Sequence, residues 1–115
     1  MRVEEWEKGD IAIISLDGKM VGNCDAEALH REVQLLLEKA MNKIVIDLQG
    51  VQWMGSLCIG AVMREIISTR KREGDIYLAS MSDKVRRLFH ITKLDAVVNI
   101  YPSIDKAVEA FNGRH

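Results

Sequence analysis

Lys43-Ile-Val-Ile-Asp47-Leu-Gln-Gly50-Val-Gln-Trp53-Met-Gly55-Ser56-Leu-Cys-Ile-Gly60 decides the fold. Ile44, Val45, Ile46 and Leu48 make a run of strand length that is apolar on both faces, as a central parallel strand covered by helices requires. Gly50 and Gly55 interrupt it, and Ile59, Val62, Met63, Ile66 and Ile67 then recur at helical spacing. The stretch reads as a buried strand, a short loop and a helix, with Ser56 at or next to the helix N-terminus. Serine is a favoured N-cap, so a plain capping role accounts for it without any function. The other role is that of a phosphoacceptor. Backbone N–H groups at a helix N-terminus lack partners and the peptide dipoles sum to partial positive charge there, so a phosphate on that hydroxyl would be well received.

Upstream, Arg2 to Glu7 and Asp10 to Leu16 are extended segments joined across Lys8-Gly9, the spacing of a hairpin, with Trp6 placed to cover the edge. Asp17-Gly18 ends the second strand and Lys19 to Asn23 form a loop. A helix is expected from Asp25 to Met41, capped by Asn23 or Asp25, with Ala26, Leu29, Val33, Leu36, Leu37 and Ala40 as its apolar stripe. Downstream, Thr69-Arg-Lys-Arg-Glu-Gly74 closes the helix after Ser56 with cations in the last turn and glycine as the stop. Asp75 to Ser80 is a fourth strand. Ser82 caps a helix that carries Val85, Leu88 and Phe89 inward, Val97 to Ile100 is a short last strand, and Ser103 caps a helix through Phe111. This order predicts an α/β fold, a mixed four- to five-stranded sheet with an N-terminal hairpin followed by parallel strands. Right-handed crossovers put about four helices largely on one face and leave the other sheet face open.

A chain of 115 residues is of ordinary single-domain length, so residues 1–115 are read as one domain. Lys and Arg number 16 against 17 acidic residues, and the formal charge of −1 supplies no global field for nucleic acid or an anionic membrane. No apolar run approaches the roughly 18 residues of a membrane span and no leader-type segment opens the sequence, so a cytoplasmic location is expected. Cys24 and Cys58 lie far apart, and His30, His90 and His115 are scattered, which is not the clustering of a metal site. Without a glycine-rich phosphate loop, no cofactor is expected either.

The chain resembles the STAS domains, specifically the small anti-sigma factor antagonists, over nearly its whole length. The resemblance rests on Ile44-Val-Ile-Asp47-Leu48, on Val51-Gln-Trp-Met-Gly-Ser56-Leu-Cys-Ile59-Gly60, on Arg72-Glu-Gly74 before the fourth strand, and on Ser82-Asp-Lys-Val85, Ile91-Thr92-Lys-Leu94 and Ser103-Ile-Asp-Lys-Ala107. The family pattern is an Asp-Leu strand, a short loop, Asp-Ser-Ser/Thr-Gly-Leu-Gly, a Gly before the next strand, a Thr-Gly-Leu corner and a final Ser-x-x-x-Ala helix. In that family the first serine of the motif is phosphorylated by a partner kinase that doubles as an anti-sigma factor, and the unphosphorylated protein binds that kinase and frees sigma. The resemblance implies that Ser56 is the phosphoacceptor, that Asp47, Gly55 and Gly60 support the site, and that an anti-sigma factor with serine kinase activity is the partner. Gly55 stands where the family has Asp, Leu57 where it has Ser or Thr, and Cys58 where it has Gly. Met20-Val21-Gly22 occupies a loop where the family commonly carries an acid. A constitutive, unphosphorylated interaction module, for example a subunit of a transport or other signalling assembly, is the alternative within the same fold.

Large apolar residues in a loop mark contact surfaces more often than polar ones do. Trp53, Met54 and Leu57, continued by Cys58 and Ile59, are therefore expected to meet the partner, with Met20 and Val21 bordering the same patch; folding of Trp53 back onto the core is the other reading. A hydrolytic enzyme would need Ser56 beside a base, and His90 is the one candidate. Arg70-Lys71-Arg72 and Lys84, Arg86 and Arg87 lie near expected helix ends without interleaved aromatics, which favours dipole stabilisation over nucleic-acid binding. Neither an enzyme nor direct nucleic-acid contact is expected.

Overall fold

The computed structural model describes residues 2–18 and 26–113. β1 (Arg2–Lys8) and β2 (Ile11–Asp17) form the antiparallel hairpin, with Trp6 opposite Ile13 and Gly9 turning the chain at φ +63°. β3 (Lys43–Gly50), β4 (Asp75–Ala79) and β5 (Asn99–Tyr101) each run parallel to the strand before, giving one sheet in the order β1-β2-β3-β4-β5. The expected loop residues Met20 and Val21, together with Cys24 and the candidate caps Asn23 and Asp25, lie outside the described residues.

Four helices connect and flank the strands: α1 (Ala26–Glu38), α2 (Ser56–Arg70), α3 (Asp83–Ile91) and α4 (Ile104–Phe111). Alternation along β2 and β3 sends Ala12, Ile14, Leu16, Ile44, Ile46 and Leu48 to one face, where they pack against Leu29, Val33 and Leu36 of α1, Cys58, Val62 and Ile66 of α2, and Val85 and Phe89 of α3. The other face carries Ile11, Ile13, Val45 and Ala79. It is covered rather than open, because Ala107, Ile104, Val108 and Phe111 of α4 close over it and Phe111 stacks on Tyr77 with centroids 3.7 Å apart. Three helices on one face and one short helix on the other is therefore the arrangement.

Serine caps form where the spacing predicts them. Ser82 Oγ accepts from the Val85 amide at 3.2 Å and Ser103 Oγ from the Lys106 amide at 3.1 Å. Two boundaries differ from expectation by more than one residue. α1 stops at Glu38 instead of Met41, because Ala40 turns left-handed at φ +62° and the Met41 amide folds back on the Leu36 carbonyl. β5 begins at Asn99 because a 3₁₀ turn over Leu94–Ala96, entered through left-handed Lys93, consumes the start of the apolar run. Gly74 is not itself the helix stop: α2 ends at Arg70 and Glu73 takes the left-handed turn at φ +62°, while Gly74 is required because a Cβ there would lie 2.0 Å from the Asn42 carbonyl oxygen, which accepts the following Asp75 amide at 3.0 Å.

Candidate functional site

β3 ends at Gly50, the Val51 amide returns to the Leu48 carbonyl at 3.0 Å, and residues 52–55 carry the chain to α2. The helix is capped by backbone alone. Gly55 is the N-cap, extended at φ −79° and ψ 169°, and its carbonyl accepts from the Cys58 and Ile59 amides at 3.1 and 3.0 Å. Ser56 is the first helical residue and is exposed, and its hydroxyl makes no hydrogen bond among the described residues. The plain capping role is thus corrected: unlike Ser82 and Ser103, Ser56 is one residue too far into the helix for its oxygen to reach the first-turn amides. The first turn of α2 also holds no acidic residue, so the partial positive charge of its N–H groups is not neutralised from within the helix.

Around this serine the expected contact residues divide. Trp53 is 41% and Leu57 70% exposed, so both present large apolar surface beside the hydroxyl, and Trp53 does not fold back fully onto the core. Met54, Cys58 and Ile59 are instead buried in the core beneath α2. The reason is periodicity: at 100° per residue, Cys58 and Ile59 share the inward side with Val62 and Ile66, whereas Leu57 faces out. Those three side chains are removed from the candidate contact surface.

Asp47 lies elsewhere. It pairs in register with Ser15 and Ala79, on the α4 face of the sheet, whereas α2 packs on the opposite face. Its Oδ2 accepts from Ser15 Oγ at 3.1 Å and its Oδ1 from the Gln49 amide at 3.2 Å. Asp47 therefore holds the ends of β2 and β3 together, beside a polar cavity of about 240 Å³ that Glu4, Asp17 and Gly50 help to line. Gly60 sits on the exposed side of α2, where a groove of about 410 Å³ runs past Met63, Arg64, Ile67, Ser68 and Lys71.

One feature of α2 escaped the sequence reading. Glu65 is fully buried, and its carboxylate is held by His30 Nδ1 of α1 at 3.0 and 3.1 Å and by Arg64 Nε at 3.1 Å. The signal was its place beside Val62 and Ile66 in the inward stripe, with a histidine on the neighbouring helix. His90, by contrast, pairs with Asp95 at 2.8 Å, so no Ser56–His90 couple is assembled. Among the described residues no group of His, Cys, Asp or Glu could hold a metal ion, and no helix is long and apolar enough to cross a membrane.

Comparison with known proteins gives a consistent result. The model of the STAS domain matches residues 3–107. A protein of Thermotoga neapolitana, provisionally named an anti-sigma factor antagonist, is 35% identical over 78 residues, 68% of this chain and 69% of the relative. A crystal structure of a provisionally assigned anti-sigma factor antagonist from Thermotoga maritima superposes with a TM-score of 0.79 at 26% identity, covering 94% of this chain and 92% of that one. The Bacillus cell fate determinant SpoIIAA, solved in its phosphorylated form, shares the fold with a TM-score of 0.73 at 14% identity, covering 96% of this chain and 99% of that one.

Proposed function

Because the chain belongs to the STAS domain family, we propose that it is a cytoplasmic anti-sigma factor antagonist that works by partner switching. It binds an anti-sigma factor that is also a serine kinase, and phosphorylation of Ser56 ends the association. The chain acts as one binding unit and not as an enzyme. The observation that carries this reading is an exposed hydroxyl, without a hydrogen bond among the described residues, at the start of α2 between exposed Trp53 and Leu57 in the chain.

The energetics suit a switch. Burying the Leu57 side chain contributes roughly 2 kcal/mol, and an aromatic side chain such as Trp53 supplies more contact area still. A phosphate on Ser56 adds about −1.5 to −2 charges. At the helix N-terminus that charge is tolerated in the free protein, but an apolar contact formed by Trp53 and Leu57 would desolvate it. A penalty of about 3 kcal/mol weakens the complex roughly a hundredfold. A protein of the same fold, SpoIIAA, exists in a phosphorylated form, so phosphorylation is compatible with this fold.

A second reading rests on Gly55, which brings no carboxylate to the first turn of α2. Phosphoryl transfer depends on positioning and charge, and without a local acid the chain would serve as a constitutive binding module. Intact mass after incubation with the anti-sigma factor and ATP, followed by peptide mapping across residues 51–64, separates the two. A single phosphate on Ser56 is expected from switching, and an unmodified chain that still binds is expected from the constitutive module.

A further inference from the structure

Leu57, Gly60, Arg64, Ile67 and Lys71 follow one another at spacings of three and four residues, and all five are exposed. They form a stripe of about 20 Å at 1.5 Å per residue. It begins beside Ser56 and ends in the basic last turn of α2. The opposite side of the same helix buries Cys58, Val62, Glu65, Ile66 and Thr69, so α2 carries apolar residues on both sides. A surface helix ordinarily keeps its solvent side polar, and here Leu57 and Ile67 remain 70% and 49% exposed.

Gly60 sharpens the point. A glycine within a helix costs about 1 kcal/mol relative to alanine, and no neighbour among the described residues requires one, because a Cβ at this position would meet none of them within 4 Å. The missing side chain leaves a notch that faces solvent, in the groove bordered by Arg64, Ile67 and Lys71. A notch of this kind lets another backbone approach closely. Within α2 the exposed charge is basic. Glu65, its one acidic residue, is fully buried and takes Arg64 Nε at 3.1 Å, Arg64 and Lys71 stand in the stripe, and Arg70 beside its end is paired with Asp75 at 3.0 Å.

We propose that this stripe seats an amphipathic helix of the anti-sigma factor whose apolar seam crosses α2 at Gly60 and whose flanks are acidic. The proposal rests on the partner-switching reading and extends its contact from the Ser56 turn along the length of α2. The spacings of three and four residues match the ridges of a second helix. A second copy of this chain fits poorly, since antiparallel self-pairing about the middle of this stripe would set Arg64 against its own counterpart and Lys71 against the apolar Leu57.

The test is calorimetric titration of the full chain with the purified anti-sigma factor, at low salt and again at 1 M salt, where the screening length is only about 3 Å. Gly60→Leu fills the notch with a good helix former, and thermal unfolding verifies that it folds. It is expected to bind about tenfold more weakly, within the range for central interface positions. Lys71→Glu is expected to bind about fivefold more weakly at low salt and to approach the wild type at 1 M. Lys84→Glu, which changes the same charge on α3, is expected to bind as the wild type does. Binding of Gly60→Leu and Lys71→Glu within twofold of the wild type overturns the proposal while leaving the partner-switching reading in place. Absence of any binding by the wild type overturns both.

Discussion

Nδ1 of His30 on α1 lies 3.0 Å from Oε2 and 3.1 Å from Oε1 of Glu65, a fully buried carboxylate of α2. α1 and α2 are thus joined by a polar contact beneath their packed faces, with Arg64 Nε as the second donor to Oε2 at 3.1 Å. Removing one member of such a pair leaves a buried charge short of partners, which costs more than the pair gains. His30→Ala is expected to lower stability by about 1–3 kcal/mol in denaturant unfolding. Glu65→Leu removes the buried member and leaves only His30 and Arg64, whose side chains are 41% and 52% exposed and can be solvated, so it is expected to be near neutral.

Ser56, Ser82 and Ser103 are three serines at helix starts, of which only the last two make capping bonds. Ser82→Ala and Ser103→Ala should each cost about 1 kcal/mol. Ser56→Ala should change stability by less than about 0.5 kcal/mol while removing the phosphoacceptor. Thermal unfolding of the three variants measures the contrast, and a loss at Ser56 equal to the other two would show a structural role for its hydroxyl.

Lys93 enters the turn over Leu94–Ala96 at φ +62° and ψ 16°, a left-handed conformation that costs a side chain roughly 1–2 kcal/mol. Lys93→Gly relieves that cost and loses some of the gain to the greater freedom of glycine in the unfolded chain. A net stabilisation of about 0.5 kcal/mol, read as a higher urea midpoint at unchanged slope, is expected.

Glu5 of β1 and Glu32 of α1 hydrogen-bond through their carboxyl groups. Burial first, then that bond and the repulsion between the two, raise Glu5 above its ordinary pKa of 4.5. A carboxyl raised in the folded state holds its proton more tightly there, so its contribution is present at low pH and is lost as pH rises through the raised value. Glu5→Gln keeps a donor for Glu32 without the charge. It is expected to be more stable than the wild type at neutral pH, by no more than about 0.5 kcal/mol at so exposed a pair, and equal to it well below the ordinary value. The difference in melting temperature across a pH series checks the sign.

The strand, turn and helix around Ser56 were legible because apolar period and glycine position are local properties. The caps Ser82 and Ser103 were legible for the same reason. What sequence could not resolve was which side each residue of the turn would face. A one-residue difference between capping and first helical position decides whether the Ser56 hydroxyl is used by the fold, and 100° of helical rotation separates exposed Leu57 from buried Cys58. Asp47 looked like a neighbour of Ser56 along the chain, but alternation in β3 sends it to the α4 face. The burial of Glu65 depended on its packing against His30 across 35 residues of sequence, which no local pattern carries. α4 was expected as a helix, yet the face it covers follows from the path of the whole chain after β5.

The most direct test of the account is the affinity of the anti-sigma factor for the unmodified chain and for the same chain phosphorylated on Ser56, measured side by side by calorimetry. Partner switching predicts firm binding of the unmodified chain and at least about a hundredfold weaker binding of the phosphorylated one. Equal affinity of the two forms would contradict it.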